Sequence, residues 1–278
     1  NIFSRNIYFI AEMKIKDLII TQIENKGQIN VSEFIELCLF SENGYYINNN
    51  PIGQNNDFIT SPEISQMFGE IIGIFLINFW EKNIQRDFNL IELGPGAGTL
   101  TEDIIRTAKV NEDFLNSTNL FLIEKNEALI KKQKERLSNL NVKNLKWCKN
   151  FDIKNDKPSI VYSNEFFDCF PVRQFFKKQE WFEKFIKYNN SAKLFNFVSK
   201  EIKNDKLLQS LEKFNYAGVA EISNPRKNYY DSVCKFIKKN KGIFLTIDYG
   251  YKSFPKNFSL QTIHRHKKTH LFENLGNQ

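Results

Sequence analysis

Apolar and polar positions along this chain follow three successive rhythms, and each predicts a different kind of element. Residues 14–27 (KIKDLIITQIENKG) show helical spacing that stops at Gly27. Residues 31–40 (VSEFIELCLF) repeat the i, i+3, i+4 pattern, with Ser32 as the expected cap. A stretch rich in Gly, Asn, Pro and aromatics follows over 43–70 and predicts an ordered loop. Ser61-Pro62 then opens a helix through Phe79, with proline suited to the first turn. Residues 68–80 are apolar but shorter than the roughly 20 residues of a membrane span, so they predict a buried helix.

From Phe88 the rhythm alternates between short apolar runs and amphipathic segments. FNLIELG, NLFLIEK, LKWCKN, SIVYSNE and, much later, GIFLTIDYG predict strands. Helices are expected over TLTEDIIRTA, with Thr99 and Glu102 as a capping box, over NEALIKKQKERLSNL and over RKNYYDSVCKFIKKN. Strands alternating with helices imply an α/β fold, a Rossmann-like and mostly parallel sheet with helices on both faces. Residues 172–224 interrupt that order with alternating aromatic segments, QEWFEKFIKY and KLFNFVSKEI, which predict an antiparallel, β-rich insertion.

Composition narrows the picture only slightly. With 278 residues and 41% apolar content the chain can bury a core, and 14% aromatics exclude a disordered chain. The net charge of +7 permits an acidic partner, but no dense Lys/Arg block stands out, so nucleic acid is not an expected partner. Cys38, Cys148, Cys169 and Cys234 form no CxxC pair, which argues against a disulfide framework or zinc site. His264, His266 and His270 lie in HRHKKTH without an acid or cysteine at ligand spacing, and predict a basic loop with no metal.

Chemistry concentrates at the carboxyl ends of the expected strands, where open α/β sheets bind ligands. Between the first strand and its helix stands Glu92-Leu93-Gly94-Pro95-Gly96-Ala97-Gly98. Glycines there remove Cβ atoms and let a ligand approach the backbone, and the helix behind offers free N–H groups. The spacing is G-x-G-x-G with an acid two residues ahead, unlike the G-x-G-x-x-G of nicotinamide enzymes. In adenosylmethionine enzymes such an acid helps hold the methionine amino group, which NAD lacks. The bland alternative is a plain strand-to-helix turn.

Glu124 ends the second strand, where a carboxylate accepts both hydroxyls of a ribose; this supports a nucleoside ligand without choosing between NAD and adenosylmethionine. The fourth strand ends in Ser163-Asn164-Glu165-Phe166-Phe167-Asp168. Glu165 there suits a guanidinium held by two hydrogen bonds, and Asn164 suits an amide or amine. Phe166, Phe167 and Phe170 either wall a cationic substrate or belong to the core.

GYYINNNPIGQNNDFITSPEISQMFGE, LIELGPGAGTL, SNEFFDCFPVRQF with EWFE, LTIDYGY and SLQTIHRH stand in this order from about Met13 onward. In these segments the chain resembles the MidA family of class I methyltransferases, whose mitochondrial members methylate an arginine and support complex I assembly. The resemblance implies an S-adenosyl-L-methionine-dependent protein arginine methyltransferase. Its cofactor would be held by Glu92, Gly94, Gly96, Gly98 and Glu124, with Asn164, Glu165 and Glu63 at the reacting end. Asp57, Thr60, Pro62, Glu63 and Gln66 would form a lid over the cofactor or the incoming arginine. Two departures stand out. Trp147 is followed by Cys148-Lys149-Asn150 where the family usually has a His-Asp pair, and the sequence stops at Gly276-Asn277-Gln278 where the family continues.

The expected organisation is an N-terminal extension (1–12), a helical cap and lid (13–85), the Rossmann-like core (86–250) with its insertion (172–224), and the start of a truncated C-terminal segment (251–278). The expected partner is a protein substrate, implied by the family to be a subunit of respiratory complex I. A non-catalytic assembly protein that binds the cofactor, or a methyltransferase for RNA or a small molecule, is the alternative. The residue bias and the lack of a clear presequence make a bacterial cytoplasm the expected compartment, with a mitochondrial matrix the alternative that the family implies.

Overall fold

The computed structural model describes residues 14–48, 60–140, 142–264 and 267–277. The expected extension over 1–12 and the lid residue Asp57 lie outside the described residues. The chain divides into two compact units. One comprises Asn1–Asn49, Phe170–Arg226 and Gly250–Gln278, and the other Asn50–Cys169 and Lys227–Tyr249.

The first unit opens with α1 (Ile15–Lys26), the two-residue strand β1 (Ile29–Asn30), α2 (Val31–Phe40) and the short α3 (Tyr45–Asn48). Ser32 lies inside α2 and is not its cap. Asn30 caps instead: its Oδ1 accepts the Glu33 N–H at 2.9 Å, and Glu33 Oε2 accepts the Asn30 N–H at 2.9 Å. This reciprocal box satisfies two end donors at once, which a serine one residue into the helix could not do.

In the second unit α4 (Ser61–Ile64) and α5 (Gln66–Asn83) replace the single helix expected from Ser61 through Phe79. Ser65, extended at φ −147 and ψ 119, separates them. Then come β2 (Phe88–Leu93), α6 (Thr99–Thr107), α7 (Glu112–Ser117), β3 (Thr118–Ile123), α8 (Glu127–Leu137), β4 (Asn144–Cys148) and β5 (Ser159–Asn164). The chain returns to the first unit for β6 (Arg173–Lys177), β7 (Trp181–Asn189), β8 (Leu194–Glu201), α9 (Asp205–Leu211) and β9 (Val219–Ile222). Finally α10 (Asn224–Asn240) leads to β10 (Gly242–Ile247), and β11 (Thr262–His264) pairs with β12 (Lys267–Thr269). The expected basic loop at HRHKKTH is therefore largely a two-stranded hairpin; Arg265 and His266 are not among the described residues.

The second unit is built on a parallel five-stranded sheet in the order β10-β5-β2-β3-β4, the Rossmann-like architecture expected. Every residue of β2 is buried, because a central parallel strand is covered on both faces, and Leu90 lies in register with Leu120 and Ile160. Chain order reverses between β2 and β5, which sets the crevice where open sheets bind ligands. Leu76, Trp80, Phe88, Leu90, Ile104, Phe114 and Leu120 share one core. α5 packs closely on α6 because Gly69 faces the Asp103 side chain and Gly73 lies where a Cβ would sit 3.1 Å from Thr107 Cβ. The helix is not buried all round as its composition suggests: Ile71, Ile74 and Phe75 are exposed on its outer face.

In the first unit β1, β7, β6 and β9 form one antiparallel sheet with β8 added on β7, which realises the β-rich insertion. Ile19, Ile23, Ile29, Phe34 and Ile186 form its buried core. Arg173 and Glu183 make a bidentate pair at 2.7 and 2.6 Å, with the Glu183 side chain 5% exposed. α9 is an element the sequence pattern does not reveal.

Candidate active site

The glycine turn that follows β2 carries three left-handed residues, Gly94 (φ 62), Gly96 (φ 55) and Gly98 (φ 82). Gly94 needs to be glycine for a second reason. A Cβ there would sit 2.6 Å from Cδ2 of Phe166, so the aromatic ring fills the space that the missing side chain leaves. Gly98 forms the N-cap of α6 with no side-chain cap, so Thr99 and Glu102 do not make the expected capping box. Both are engaged elsewhere: Thr99 Oγ1 donates to Glu63 Oε1 at 2.5 Å, and Arg136 Nη1 donates to Glu102 Oε2 at 3.0 Å.

Glu92, two residues before the turn, is 2% exposed. Its Oε2 accepts hydrogen bonds from Thr101 Oγ1 and from the Tyr162 hydroxyl, the latter at 3.2 Å. Burial pushes its carboxyl up to about 7, opposed by those two hydrogen bonds. Glu124 stands one strand over, beyond β3. Its Oε1 accepts the N–H groups of Lys125 at 2.7 Å and Asn126 at 2.8 Å, which fixes the carboxylate at the strand end. Desolvation raises it, and the bonds from Asn126, Lys125 and Gln133 lower it.

At the end of β5 the backbone turns sharply: Glu165 adopts φ 48, uncommon for a residue with a side chain. Its carboxylate accepts the Ser61 N–H at the start of α4, and Asn164 Nδ2 lies 3.4 Å from its Oε1. Desolvation raises the Glu165 carboxyl above its ordinary value, and the charge of Asp248 adds to that rise. The Asn164 Oδ1 is buried and has no hydrogen-bond partner among the described residues.

Glu92 with the glycine turn, Glu124, and Asn164 with Glu165 thus fall at the ends of β2, β3 and β5, around the order reversal. Glu63 reaches the helix behind the glycine turn through Thr99, and Glu165 reaches α4 through Ser61. Thr60 precedes α4, its carbonyl accepting the Glu63 N–H at 2.9 Å, and Pro62 is buried in the first turn. Gln66 stands apart from these links: its Nε2 donates to Glu70 on the exposed face of α5 at 2.6 Å.

Sequence reasoning missed two residues here. Asp248, just past β10, accepts the N–H groups of Phe167 at 2.9 Å, Asp168 at 3.2 Å and Tyr249 at 2.8 Å, and so shapes the turn after Glu165. Gln133 is fully buried on α8, donating to the Gly96 carbonyl at 2.8 Å and accepting from Trp147 Nε1 at 2.9 Å. A polar amide among the apolar positions of an amphipathic helix is the signal that could have found it.

These features fit a nucleoside ligand with a cationic end. A glycine turn opens the backbone, a fixed carboxylate stands at the end of the next strand, and a second carboxylate stands across the reversal.

Curated relatives point the same way. The chain is 33% identical to the mitochondrial protein arginine methyltransferase NDUFAF7 of Xenopus laevis over 192 residues, 60% of this chain but 44% of that protein. It is 27% identical to the mitochondrial NDUFAF7 homolog of Caenorhabditis elegans over 290 residues, covering 94% of this chain and 67% of that one. A crystal structure from Burkholderia thailandensis, bound to S-adenosyl-homocysteine, shares the fold at a TM-score of 0.80 and 19% identity, covering 95% of this chain and 71% of that one. The profile of the family described as "Putative S-adenosyl-L-methionine-dependent methyltransferase" matches residues 71–278, three quarters of the chain, and the protein belongs to that methyltransferase family.

Proposed function

We propose that the chain transfers a methyl group from S-adenosylmethionine to an arginine side chain of a protein. The observation that carries this reading is the Glu165 carboxylate, set at the end of β5 in a left-handed turn beside the glycine loop. When bound, the cofactor supplies a methyl carbon attached to a positively charged sulfur. Gly94, Gly96 and Gly98 admit its polar tail, Glu92 faces the amino group, and Glu124 accepts the ribose hydroxyls. Glu165 accepts two N–H groups of the guanidinium, which fixes the plane of the group and aims one terminal nitrogen at the methyl carbon. That nitrogen forms the new C–N bond as the C–S bond breaks, with the electron pair going to sulfur. Glu165 then takes up the proton that leaves nitrogen and passes it to water. Asn164 offers a buried carbonyl oxygen to a further N–H, and Glu63, tied to Thr99, closes the acidic side.

The curated relatives, named as protein arginine methyltransferases, support a protein acceptor. We further infer a complex I subunit as that acceptor and a mitochondrial matrix as the compartment. The family resemblance supports the first, and the word mitochondrial in the relatives' names supports the second. No helix among the described residues is long and apolar enough to cross a membrane.

Glu165→Gln tests the reading. Calorimetry with S-adenosylhomocysteine should give the wild-type affinity, while methyl transfer to an arginine-containing protein falls by at least about 100-fold. Transfer that persists within a few-fold of wild type would assign the guanidinium to another group.

A further inference from the structure

We infer that Gln133 is the positioning residue for the nucleoside half of the cofactor site. Its one amide holds the glycine turn, the ribose-facing carboxylate and the third strand end in a single arrangement. The inference rests on the adenosylmethionine reading above.

Three strand ends meet at this side chain. Nε2 donates to the Gly96 carbonyl at 2.8 Å, in the turn after β2. A further side-chain hydrogen bond from Gln133 reaches Glu124, after β3, and favours its ionised form. Oε1 accepts from Trp147 Nε1 at 2.9 Å, on β4. The orientation of the amide is dictated by chemistry: an indole N–H only donates and a backbone carbonyl only accepts, so oxygen must face Trp147 and nitrogen must face Gly96. Gln133 is 0% exposed, so no water competes for these bonds.

The link to Gly96 has a directional consequence. A peptide unit is planar and trans, so its C=O and N–H point in opposite directions. With the Gly96 carbonyl fixed on Gln133, the Ala97 N–H is held facing away from α8. A left-handed glycine such as Gly96 (φ 55) otherwise leaves that peptide free to rotate. Gln133 thereby fixes the direction of a donor in the turn, while Glu124 and the Trp147 indole are held from the same atom group. A residue that only filled space on α8 would need none of these bonds, and a buried amide is costly when its partners are missing.

The test uses Gln133→Met, which keeps the length and removes the amide, and Trp147→Phe, which cuts the same link from the other side. Both are compared with wild type for S-adenosylhomocysteine affinity by calorimetry, for KM and kcat in methyl transfer, and for melting temperature. Gln133→Met should weaken S-adenosylhomocysteine by about 10- to 100-fold and raise the adenosylmethionine KM in step, with kcat within about twofold. Trp147→Phe should weaken it less, and the double variant no more than Gln133→Met alone, because both changes break one chain of bonds. A lower melting temperature with unchanged affinity in either variant overturns the inference and leaves Gln133 a packing residue. If wild type itself binds no S-adenosylhomocysteine, the cofactor reading falls and takes this inference with it. Binding by wild type and Gln133→Met alike overturns the inference alone. Should Gln133→Met fail to fold, wild-type affinity in Trp147→Phe overturns it, and weaker binding supports it.

Discussion

Thr99 Oγ1 donates a hydrogen bond to Glu63 Oε1 at 2.5 Å, joining the first residue of α6 to the short helix α4. Because Glu165 holds the Ser61 N–H, the four residues of α4 are pinned at both ends, to the glycine-turn side and to the β5 side. Ser65, extended between α4 and α5, separates this pinned turn from the long helix that follows.

Removing the Thr99 hydroxyl should therefore act on the site more than on the fold. Thr99→Val keeps the shape and loses the donor to a part-buried carboxylate that can turn to water instead. The expected result is a KM for the methyl acceptor raised by about tenfold or more, with a small change in melting temperature. Steady-state kinetics beside thermal unfolding checks it, and Glu63→Ala should match Thr99→Val without adding to it.

Glu92 makes stability depend on pH in the direction opposite to most carboxylates. Its folded value of about 7 lies above the ordinary 4.5, so the native state keeps a proton that the unfolded chain has lost. Its favourable contribution is complete below 4.5, declines as pH rises, and is gone above about 7. Glu92→Gln should flatten that slope and gain on the order of 3 kcal/mol over wild type at pH 8, while weakening S-adenosylhomocysteine. Denaturant unfolding at pH 4.5 and 8 measures the difference between the two proteins. An identical pH slope in both would show that Glu92 is ionised when buried.

Gly94→Ala meets a steric barrier, the Phe166 ring 2.6 Å from the new Cβ, and a backbone penalty at φ 62. Together these should cost about 2–4 kcal/mol. Phe166→Ala removes only the steric part, so Gly94→Ala should cost less in that background, by about 1–2 kcal/mol. Chemical denaturation of the four-protein cycle checks it.

In the first unit, Arg173→Met strands the buried Glu183 carboxylate and should cost about 2–4 kcal/mol in urea unfolding. Arg173→Met with Glu183→Leu should recover most of that loss, because no unpaired charge remains.

Much of this was legible in the chain. The parallel strands stand out as short runs dominated by Leu, Ile, Val and Phe between amphipathic segments, and the glycine turn because three closely spaced glycines seldom occur without a backbone reason. Glu124 and Glu165 are readable from their places at strand ends. What escaped depends on contacts distant in sequence. Asn30 is the exception, because Glu33 three residues on marks it as a capping box while Ser32 is followed by Ile35 at that spacing. The partners of α4, Thr99 and Glu165, stand far along the chain from it. Gln133 and Asp248 hold backbone groups of other segments, and nothing in their own neighbourhoods names those partners.

The most direct measurement is recovery of methylated arginine. The chain is incubated with S-adenosylmethionine labelled in its methyl group and with complex I subunits, and the acceptor protein is hydrolysed to amino acids. The expected result is label in methylarginine, falling as pH drops towards the raised Glu165 value, above 4.5, and absent with Glu165→Gln. Label confined to another residue, to RNA or to a small molecule, or no label despite bound S-adenosylhomocysteine, would contradict the assignment of an arginine to Glu165.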